Sequence, residues 1–246
     1  MSVSMDMKIL LYNIAYCTGL SGSLSDYAFK WHRHLHNPRE QKMQCIQDIY
    51  STIEEEKPDV CCFVEISRDS ALVEKLSKNY PHANISNKYS EKSILSKMPV
   101  MRMKGNGVVS SIPFTMKRHE LPCGVKRLVH EVQFDNGYSL FLGHFSLRKH
   151  SRKKQFRHLA EITRNREKTV VCGDFNIFLG IQELLPLMEE TRLRIANDFG
   201  AHTFPSHNPS KLLDIFLCSP DIGMPKVRVL SSARHSDHLP VILELQ

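Results

Sequence analysis

Short apolar runs follow one another along the chain and predict a protein made largely of β-strands. Runs of about four to eight apolar residues between polar turns are typical of strands, and runs without alternation are typical of strands buried on both faces. The strands predicted in this way cover residues 8–16, 59–66, 108–112, 114–121, 125–134, 138–147, 168–172, 212–218, 227–230 and 240–245. Asn136 and Gly137 separate two of these runs and predict a hairpin there.

Other segments have the periodicity of amphipathic helices. Between residues 39 and 57, apolar residues such as Ile46, Ile49 and Ile53 recur at three- and four-residue spacing, and a proline follows the segment. Further helices are predicted over residues 70–78, 151–166 and 182–190. No internal repeat and no Pro-, Gly- or Ser-rich linker divides the chain. We therefore expect one domain, residues 1–246, in which mixed sheets are covered by helices.

A polar stretch over residues 17–38 separates the first strand from the first helix and is predicted to be a long loop. His32, His34 and His36 alternate within it, a pattern that suggests zinc ligands. Alternate residues share a face only on a strand, however, and this stretch has little strand character. We interpret it as a loop that could form one wall of a substrate cleft.

The composition indicates a globular protein with reduced cysteines. Of the 246 residues, 41% are hydrophobic and 24% are charged, as in ordinary soluble domains. The lack of an apolar run of about 18 residues argues against a membrane span, and the N-terminal residues lack the pattern of a secretory signal. The seven cysteines include no Cys-x-x-Cys pair, and several lie within apolar runs. We expect an intracellular, cytoplasmic protein.

The excess of positive charge is concentrated in one segment. The chain has 33 Lys and Arg against 26 Asp and Glu, a formal charge of +7 that favours anionic partners. Residues 148–157 contain six basic residues and no acidic one, so the rest of the chain is nearly neutral. This run is either a solvated helix face or a surface for an anionic substrate. The substrate-binding candidates are Lys126, Arg127, Arg148, Arg152 and Lys153.

Polar residues interrupt the predicted strands, mostly where a strand ends. They are Asn13, Glu65, His144, Asp174, Asn176, Asp214, Asp237 and His238. A carboxylate in a buried strand is costly unless it is paired, hydrogen-bonded or bound to a metal. Carboxylate and amide oxygens suit Mg²⁺ or Mn²⁺ better than zinc, for which neither a His-Glu-x-x-His nor a Cys-x-x-Cys motif is present. With two histidines beside them, these groups predict phosphoryl transfer to water.

The motifs around these residues occur in a characteristic order. They are Leu11-Tyr12-Asn13, Val64-Glu65, Gly143-His144, Gly173-Asp174-Phe175-Asn176, Leu213-Asp214-Ile215 and Ser236-Asp237-His238. This order resembles that of the exonuclease–endonuclease–phosphatase superfamily, and the resemblance spans residues 9–245. The superfamily includes class II abasic-site endonucleases, pancreatic-type DNases, neutral sphingomyelinases and inositol-polyphosphate 5-phosphatases. The resemblance implies an α/β fold, a four-layered sandwich in which two packed mixed β-sheets are flanked by helices.

The resemblance also implies roles for the acidic and amide residues. Glu65 is expected to be the main metal carboxylate, and Asn13 and Asp237 are expected to lie in the metal region. Asp174 is expected to orient or deprotonate the attacking water. Asn176 is expected to hold the phosphate or the nucleophile.

The two histidines are expected to contact the phosphate. The resemblance implies that His238 hydrogen-bonds the scissile phosphate with Asp214 as its orienting partner, and that His144 is a second phosphate-contacting imidazole. Val64 stands where many members have glutamine, and the residues after Glu65 differ from the Thr-Lys of the abasic-site enzymes. These departures leave the subfamily unassigned.

The function predicted from the sequence is a divalent-metal-dependent phosphoesterase that hydrolyses a phosphodiester or phosphomonoester. A nuclease is favoured because the chain is basic, and nucleic-acid binding would weaken steeply with salt. A phospholipid or inositol-phosphate phosphodiesterase or phosphatase is the alternative, favoured because no DNA-wedging loop is recognisable. A non-catalytic anion-binding protein is a third possibility, although such proteins usually lose one or more of the site residues.

Overall fold

The computed structural model of the chain describes residues 6–22, 38–87, 89 and 98–245. The predicted loop with His32, His34 and His36 falls largely in residues 23–37, outside the described residues. The strands β1 to β12 are Met7–Asn13, Val60–Ser67, His82–Asn87, Lys104–Ser110, Phe114–Glu120, Leu128–Phe134, Ser139–His144, Thr169–Asp174, Arg194–Ile195, Asp214–Cys218, Lys226–Val229 and Val241–Leu245. The helices α1 to α5 are Arg39–Glu56, Ala71–Leu76, Pro99–Arg102, Lys149–Thr163 and Leu185–Thr191.

The strands form two six-stranded mixed sheets. The first sheet has the order β11-β12-β1-β2-β4-β3, and the second has the order β5-β6-β7-β8-β10-β9. Each sheet contains one parallel pair at its centre, β1 with β2 and β7 with β8, and its other neighbouring strands are antiparallel. The two parallel pairs pack against each other through contacts of β1 with β8 and of β2 with β7.

The central strands are mostly apolar because both of their faces are buried. On β1, Ile9 and Leu11 lie in the core between the two sheets, whereas Leu10 and Tyr12 lie in a second core beneath α1 and α2. On the other sheet, Phe141 and Val171 face a third core beneath α4. Successive strand residues therefore enter different layers, as the period of two requires. The predicted four-layered sandwich, with two mixed sheets flanked by helices, is confirmed.

The elements differ from the sequence prediction mainly at strand ends and in two missed edge strands. Each of the ten predicted strands and four predicted helices overlaps an observed element, although residues 181–183 form a separate 3₁₀ turn before α5. β3, with the sequence His-Ala-Asn-Ile-Ser-Asn, was not predicted because this polar edge strand has no buried apolar alternation. The short β9 and α3 were missed too. That residues 1–246 form one domain stays a prediction.

None of the helices in the described part of the chain has both the length and the apolar content needed to cross a membrane.

A close approach of two glycines fixes the distance between β7 and β8. Gly173 pairs with Gly143 in this parallel ladder and has a φ of +148°, which favours glycine. A Cβ atom at position 173 would lie 1.9 Å from the carbonyl oxygen of Gly143. Both glycines immediately precede a functional candidate, His144 or Asp174, so this contact sets how near those two side chains lie.

We expect Gly173→Ala to lower the free energy of unfolding by about 2–4 kcal/mol, because it combines backbone strain with steric overlap. Gly200→Ala is the matched control, since its added Cβ would meet only Asp198 Oδ1 at an ordinary 3.6 Å. Chemical unfolding followed by circular dichroism measures both variants. Equal stabilities would contradict the close approach.

Candidate active site

The topology brings four of the predicted side chains to one edge of the space between the sheets. Asn13, His144 and Asp174 are the last residues of β1, β7 and β8, whose carboxyl ends point the same way. Asp214 is the first residue of the antiparallel strand β10 and pairs directly with Asp174. Since Asp174 pairs with His144 on its other side, His144, Asp174 and Asp214 form a row across the second sheet.

Asp174 is the centre of this cluster. Its Oδ2 accepts a hydrogen bond from Asn13 Nδ2 at 3.2 Å and lies 3.3 Å from His144 Nε2 and 4.0 Å from His238 Nε2. Its Oδ1 accepts from the backbone N–H of Asn176 at 3.0 Å. Burial favours the neutral acid, but the hydrogen bond with His144 and the charge of His238 outweigh burial and lower the pKa of Asp174. Asp174 is therefore a buried, ionised carboxylate.

His238 is held by Asp214 through one ring nitrogen. The distance from His238 Nδ1 to Asp214 Oδ2 is 2.7 Å, and both side chains are buried. Burial alone lowers the pKa of His238, but the charge of Asp214 and the hydrogen bond to it raise the pKa to about 10. The imidazolium therefore carries its charge at neutral pH, with Nε2 directed toward Asp174.

Two residues that the sequence analysis did not select keep this pair in place. Thr203 Oγ1 accepts a hydrogen bond from the backbone N–H of Asp214 at 3.2 Å, and the ring of Phe204 lies 4.9 Å from that of His238. Both residues precede the strand that carries Asp214 and lie in a polar segment without a motif. The sequence contains no signal that would have identified them.

His144 differs from His238 because its neighbours favour the neutral ring. Burial and then the positive charge of Lys126 lower the pKa of His144 to about 4, against the hydrogen bond with Asp174. Lys126 Nζ contacts the same Nε2 atom that faces Asp174, and Nδ1 lies 3.9 Å from Glu65 Oε1. The cluster therefore contains one neutral and one charged imidazole on either side of Asp174.

Glu65 reaches the site because β2 contains a bulge. Phe63 and Ile66 both pack in the core beneath α1, so the alternation slips by one residue between them, where the pairing with β4 also shifts. Glu65 is the extra residue, with a φ of +55°, and its backbone N–H donates to Asn106 Oδ1 at 3.0 Å. Asn106, flanked by two glycines on β4, was not selected from the sequence.

The remaining acidic candidate, Asp237, lies beside like charges. Burial raises the pKa of Asp237, the charge of His238 opposes this rise, and the charges of Glu65 and Asp174 add to it. A divalent cation near these carboxylates would relieve the repulsion, so the donor set of Glu65, Asp237 and Asn13 fits a hard cation. Within the described ranges, no three His, Cys, Asp or Glu side chains converge closely enough to enclose a metal by themselves.

Asn176 lies at the site but uses its amide internally. Its Nδ2 donates to the carbonyl oxygen of Phe145 at 3.0 Å, and its φ is +52°. The side chain thus ties the turn after β8 to the residue that follows His144. Asn176 is expected to hold a phosphate or the nucleophile, and this role stays a prediction.

The five basic candidates have different positions. Lys126 lies in the cluster, in contact with His144. Arg127 donates from Nε to the carbonyl oxygen of Leu121 at 3.1 Å, and Arg148 and Lys153 are exposed at the start of α4. Only Lys126 of the five is thus brought into the cluster.

Arg152 has a position that does not suit the predicted substrate contact. Its side chain is buried and donates from Nη1 to the carbonyl oxygens of Ser146 and Leu147, at 2.8 and 2.9 Å. Its Nη2 pairs with Glu183, which is also nearly buried. The guanidinium therefore stabilises, through its hydrogen bonds, the turn that connects His144 at the end of β7 to α4.

The chain belongs to the Endonuclease/Exonuclease/phosphatase family, whose sequence model matches residues 10–238. A search of curated protein sequences found no match.

Solved structures with the same fold have low sequence identity to this chain. An endonuclease/exonuclease/phosphatase from Beutenbergia cavernae aligns with a TM-score of 0.73 at 20% identity, over 98% of this chain and 71% of that one. Sphingomyelinase C from Streptomyces griseocarneus aligns with a TM-score of 0.67 at 15% identity, over 98% and 100%. A humanized D. rerio TDP2 aligns with a TM-score of 0.64 at 15% identity, over 98% and 99%. These similarities establish the fold.

We expect Arg152→Met to lower the free energy of unfolding by about 3–5 kcal/mol, because it leaves the buried Glu183 carboxylate without its partner. Lys153→Met, one residue along the same helix but exposed, is expected to change stability by less than about 0.5 kcal/mol. Denaturant unfolding measures the difference. An Arg152→Met protein as stable as Lys153→Met would show that the arginine has no structural role.

Proposed function

We propose that this protein is a divalent-metal-dependent phosphoesterase that hydrolyses a phosphate ester by attack of an activated water. The observation that carries the proposal is the Asp174 carboxylate, ionised although buried and placed between His144 and the His238–Asp214 pair. A purely structural cluster would not require a charged imidazole and a charged carboxylate at the open edge of a core. Hydrolysis of a phosphate ester requires both a group that orients water and a cation that stabilises the developing negative charge.

In the proposed reaction, Asp174 accepts a hydrogen bond from the attacking water and holds the water in line with the scissile bond. The lowered pKa makes Asp174 a weak base, so its main contribution is orientation, and Asn13 and the backbone of Asn176 keep its oxygens in position. The bond from the water oxygen to phosphorus forms as the bond to the leaving oxygen breaks. The proton of the water passes to Asp174, and the leaving oxygen takes a proton from solvent.

His238 donates a hydrogen bond from Nε2 to a phosphate oxygen and, while keeping its proton, stabilises the negative charge that develops there. Asp214 orients the ring of His238 through Nδ1 and keeps it protonated. His238 is therefore already a cationic donor when the substrate binds. His144 stays neutral and positions Asp174. A Mg²⁺ or Mn²⁺ ion held by Glu65, Asn13 and Asp237 would neutralise charge on the phosphate oxygens.

Lys126 supplies a further positive charge in the same cluster. Its ammonium group contacts His144 Nε2, on the side of the ring that faces Asp174. A non-bridging phosphate oxygen placed between Lys126 and His238 would meet two cationic donors. We therefore include Lys126 among the phosphate-contacting residues.

A nuclease is the favoured activity within this class, and cleavage of a phospholipid or inositol-phosphate ester is the alternative. The cationic residues at and around the site support the first, and the similarity to a sphingomyelinase fold is compatible with the second. A non-catalytic anion-binding role is disfavoured because Glu65, Asp174, Asp214 and His238 are all present. We place the activity in the cytoplasm.

Asp174→Asn and His238→Ala are each expected to reduce hydrolysis about 10²- to 10⁴-fold, because each removes a group that acts in the transition state. Asp135→Asn is the matched control, in the exposed turn at the far end of β7. Turnover of DNA, RNA, sphingomyelin, phosphoinositides and a generic diester is measured with Mg²⁺ or Mn²⁺ and again with excess EDTA. Metal-independent turnover, or near-wild-type turnover by both site variants, would disprove the proposal.

Lys126→Met is expected to reduce turnover of the same substrate about 10- to 100-fold without loss of thermal stability, since it removes one cationic donor from the phosphate. Lys117→Met removes an exposed lysine from β5 and should leave turnover unchanged. Steady-state kinetics at fixed ionic strength compares the two. Equal rates would place Lys126 outside the phosphate site.

A further inference from the structure

A polar groove, separate from the candidate active site, opens at the side of the sandwich, where the two sheets end in the edge strands β3 and β5. Its volume is about 600 Å³, within the usual size range of ligand pockets. The residues that line it are Arg68, Asn84, Ile85, Ser86, Asn87, Tyr89, Arg102, Met116 and Arg118. None of them is among the residues predicted from the sequence to form the site.

The groove is a lateral entrance to the space between the sheets. Asn84 pairs with Val108 of β4, and Val108 lies in the core between the sheets. Met116 on β5 packs against the same core from the opposite sheet. Paired residues on neighbouring strands share a face, so Asn84 and Met116 border one opening from its two sides.

Three arginines make this groove strongly cationic. Arg68, Arg102 and Arg118 are exposed, and no carboxylate lines the groove among the described residues. Neither Arg68 nor Arg102 forms an ion pair with any described residue. The two arginines also line a neighbouring pocket together with Asp69, but that carboxylate is not paired with either of them. Guanidinium groups remain charged and present several donors in one plane, which suits phosphate oxygens. Arg68 and Arg102 have no carboxylate partner among the described residues, so their charges repel each other unless an anion lies between them.

The groove adjoins the catalytic edge. Arg68 follows Glu65 by three residues at the end of β2, a separation of at most about 10 Å along a strand. The backbone N–H of Arg68 donates to the carbonyl oxygen of Met103 at 2.9 Å, which places it beside the start of β4. Lys104, the first residue of β4, lies over the ring of Tyr16 in the turn that follows Asn13. Cationic side chains thus extend from the groove to the predicted metal region.

We propose that this groove binds a second phosphate group of the substrate, next to the ester that is hydrolysed. The inference rests on the proposed phosphoesterase activity and narrows its substrates to those that carry at least two phosphate groups in succession. Arg68, Arg102 and Arg118 hold the second phosphate, and Asn84 offers an amide donor beside it.

The test compares two triple variants in a binding experiment without turnover. One replaces Arg68, Arg102 and Arg118 by glutamine. The matched control replaces three exposed cations away from the groove, Lys78, Arg194 and Lys226, by glutamine. Fluorescence anisotropy measures binding of a labelled ten-residue oligothymidylate in EDTA over a range of salt concentrations, and calorimetry measures binding of inorganic tripolyphosphate.

The groove variant is expected to bind one of the two probes about 10- to 100-fold more weakly, and the control variant is expected to bind it as the wild type does. Loss of oligothymidylate binding, with a slope of log affinity against log salt that is shallower by about 2, identifies a polynucleotide as the source of the phosphate. Loss of tripolyphosphate binding alone identifies a small polyphosphorylated ligand.

The inference is overturned if the wild type binds neither probe, if the groove variant binds both as the wild type does, or if the two triple variants are weakened equally. Because binding is measured in EDTA, the result does not depend on hydrolysis. If the groove variant binds a probe more weakly than the control variant does, but the wild type hydrolyses none of the substrates, the proposed function alone is contradicted. If the wild type hydrolyses a substrate but the groove variant binds both probes as the wild type does, this inference alone is contradicted.

Discussion

The buried carboxylate of Asp174 is the constraint on which the arrangement of the site depends. A carboxylate away from water is stable as an anion only if charged or hydrogen-bonding groups surround it. Here the amide of Asn13, the backbone of Asn176 and the rings of His144 and His238 surround it. These groups come from two strand ends and from two segments, one that follows β8 and one that precedes β12. The site therefore exists only when both sheets are assembled.

The two parallel strand pairs make this assembly possible. Parallel neighbours end at the same edge, so Asn13 of the first sheet and Asp174 of the second meet when the pairs pack face to face. The inner faces below them are filled by apolar side chains, which exclude water from beneath the cluster. The absence of a Cβ on Gly173 allows β7 and β8 to approach closely enough for His144 to contact Asp174. Packing and chemistry thus depend on the same few residues.

The sequence predicts the central strands well, and several of the candidate residues at their ends lie together in the structure, because an apolar run that ends in a polar residue is a local signal. Glu65 shows the limit of such a signal. Strict alternation would direct it to the face that Phe63 occupies, beneath α1, and only the bulge in β2 turns it toward His144. A bulge depends on the pairing with β4, which is not local in sequence. The residue is therefore predictable, but its geometry is not.

The basic residues also show that a local sequence pattern does not determine where side chains lie in the fold. The run of six near the start of α4 is conspicuous along the chain, yet Arg152 within it faces inward and fastens a turn. Arg68, Arg102 and Arg118 belong to no such run, and only the meeting of the edges of two sheets brings them around one groove. A helix distributes consecutive charges over all its faces, whereas the fold brings together Arg68 after β2, Arg102 at the end of α3 and Arg118 on β5. In this fold, the net charge of a segment is therefore a poor guide to where cationic side chains come together, because that depends on contacts between elements that are distant in sequence.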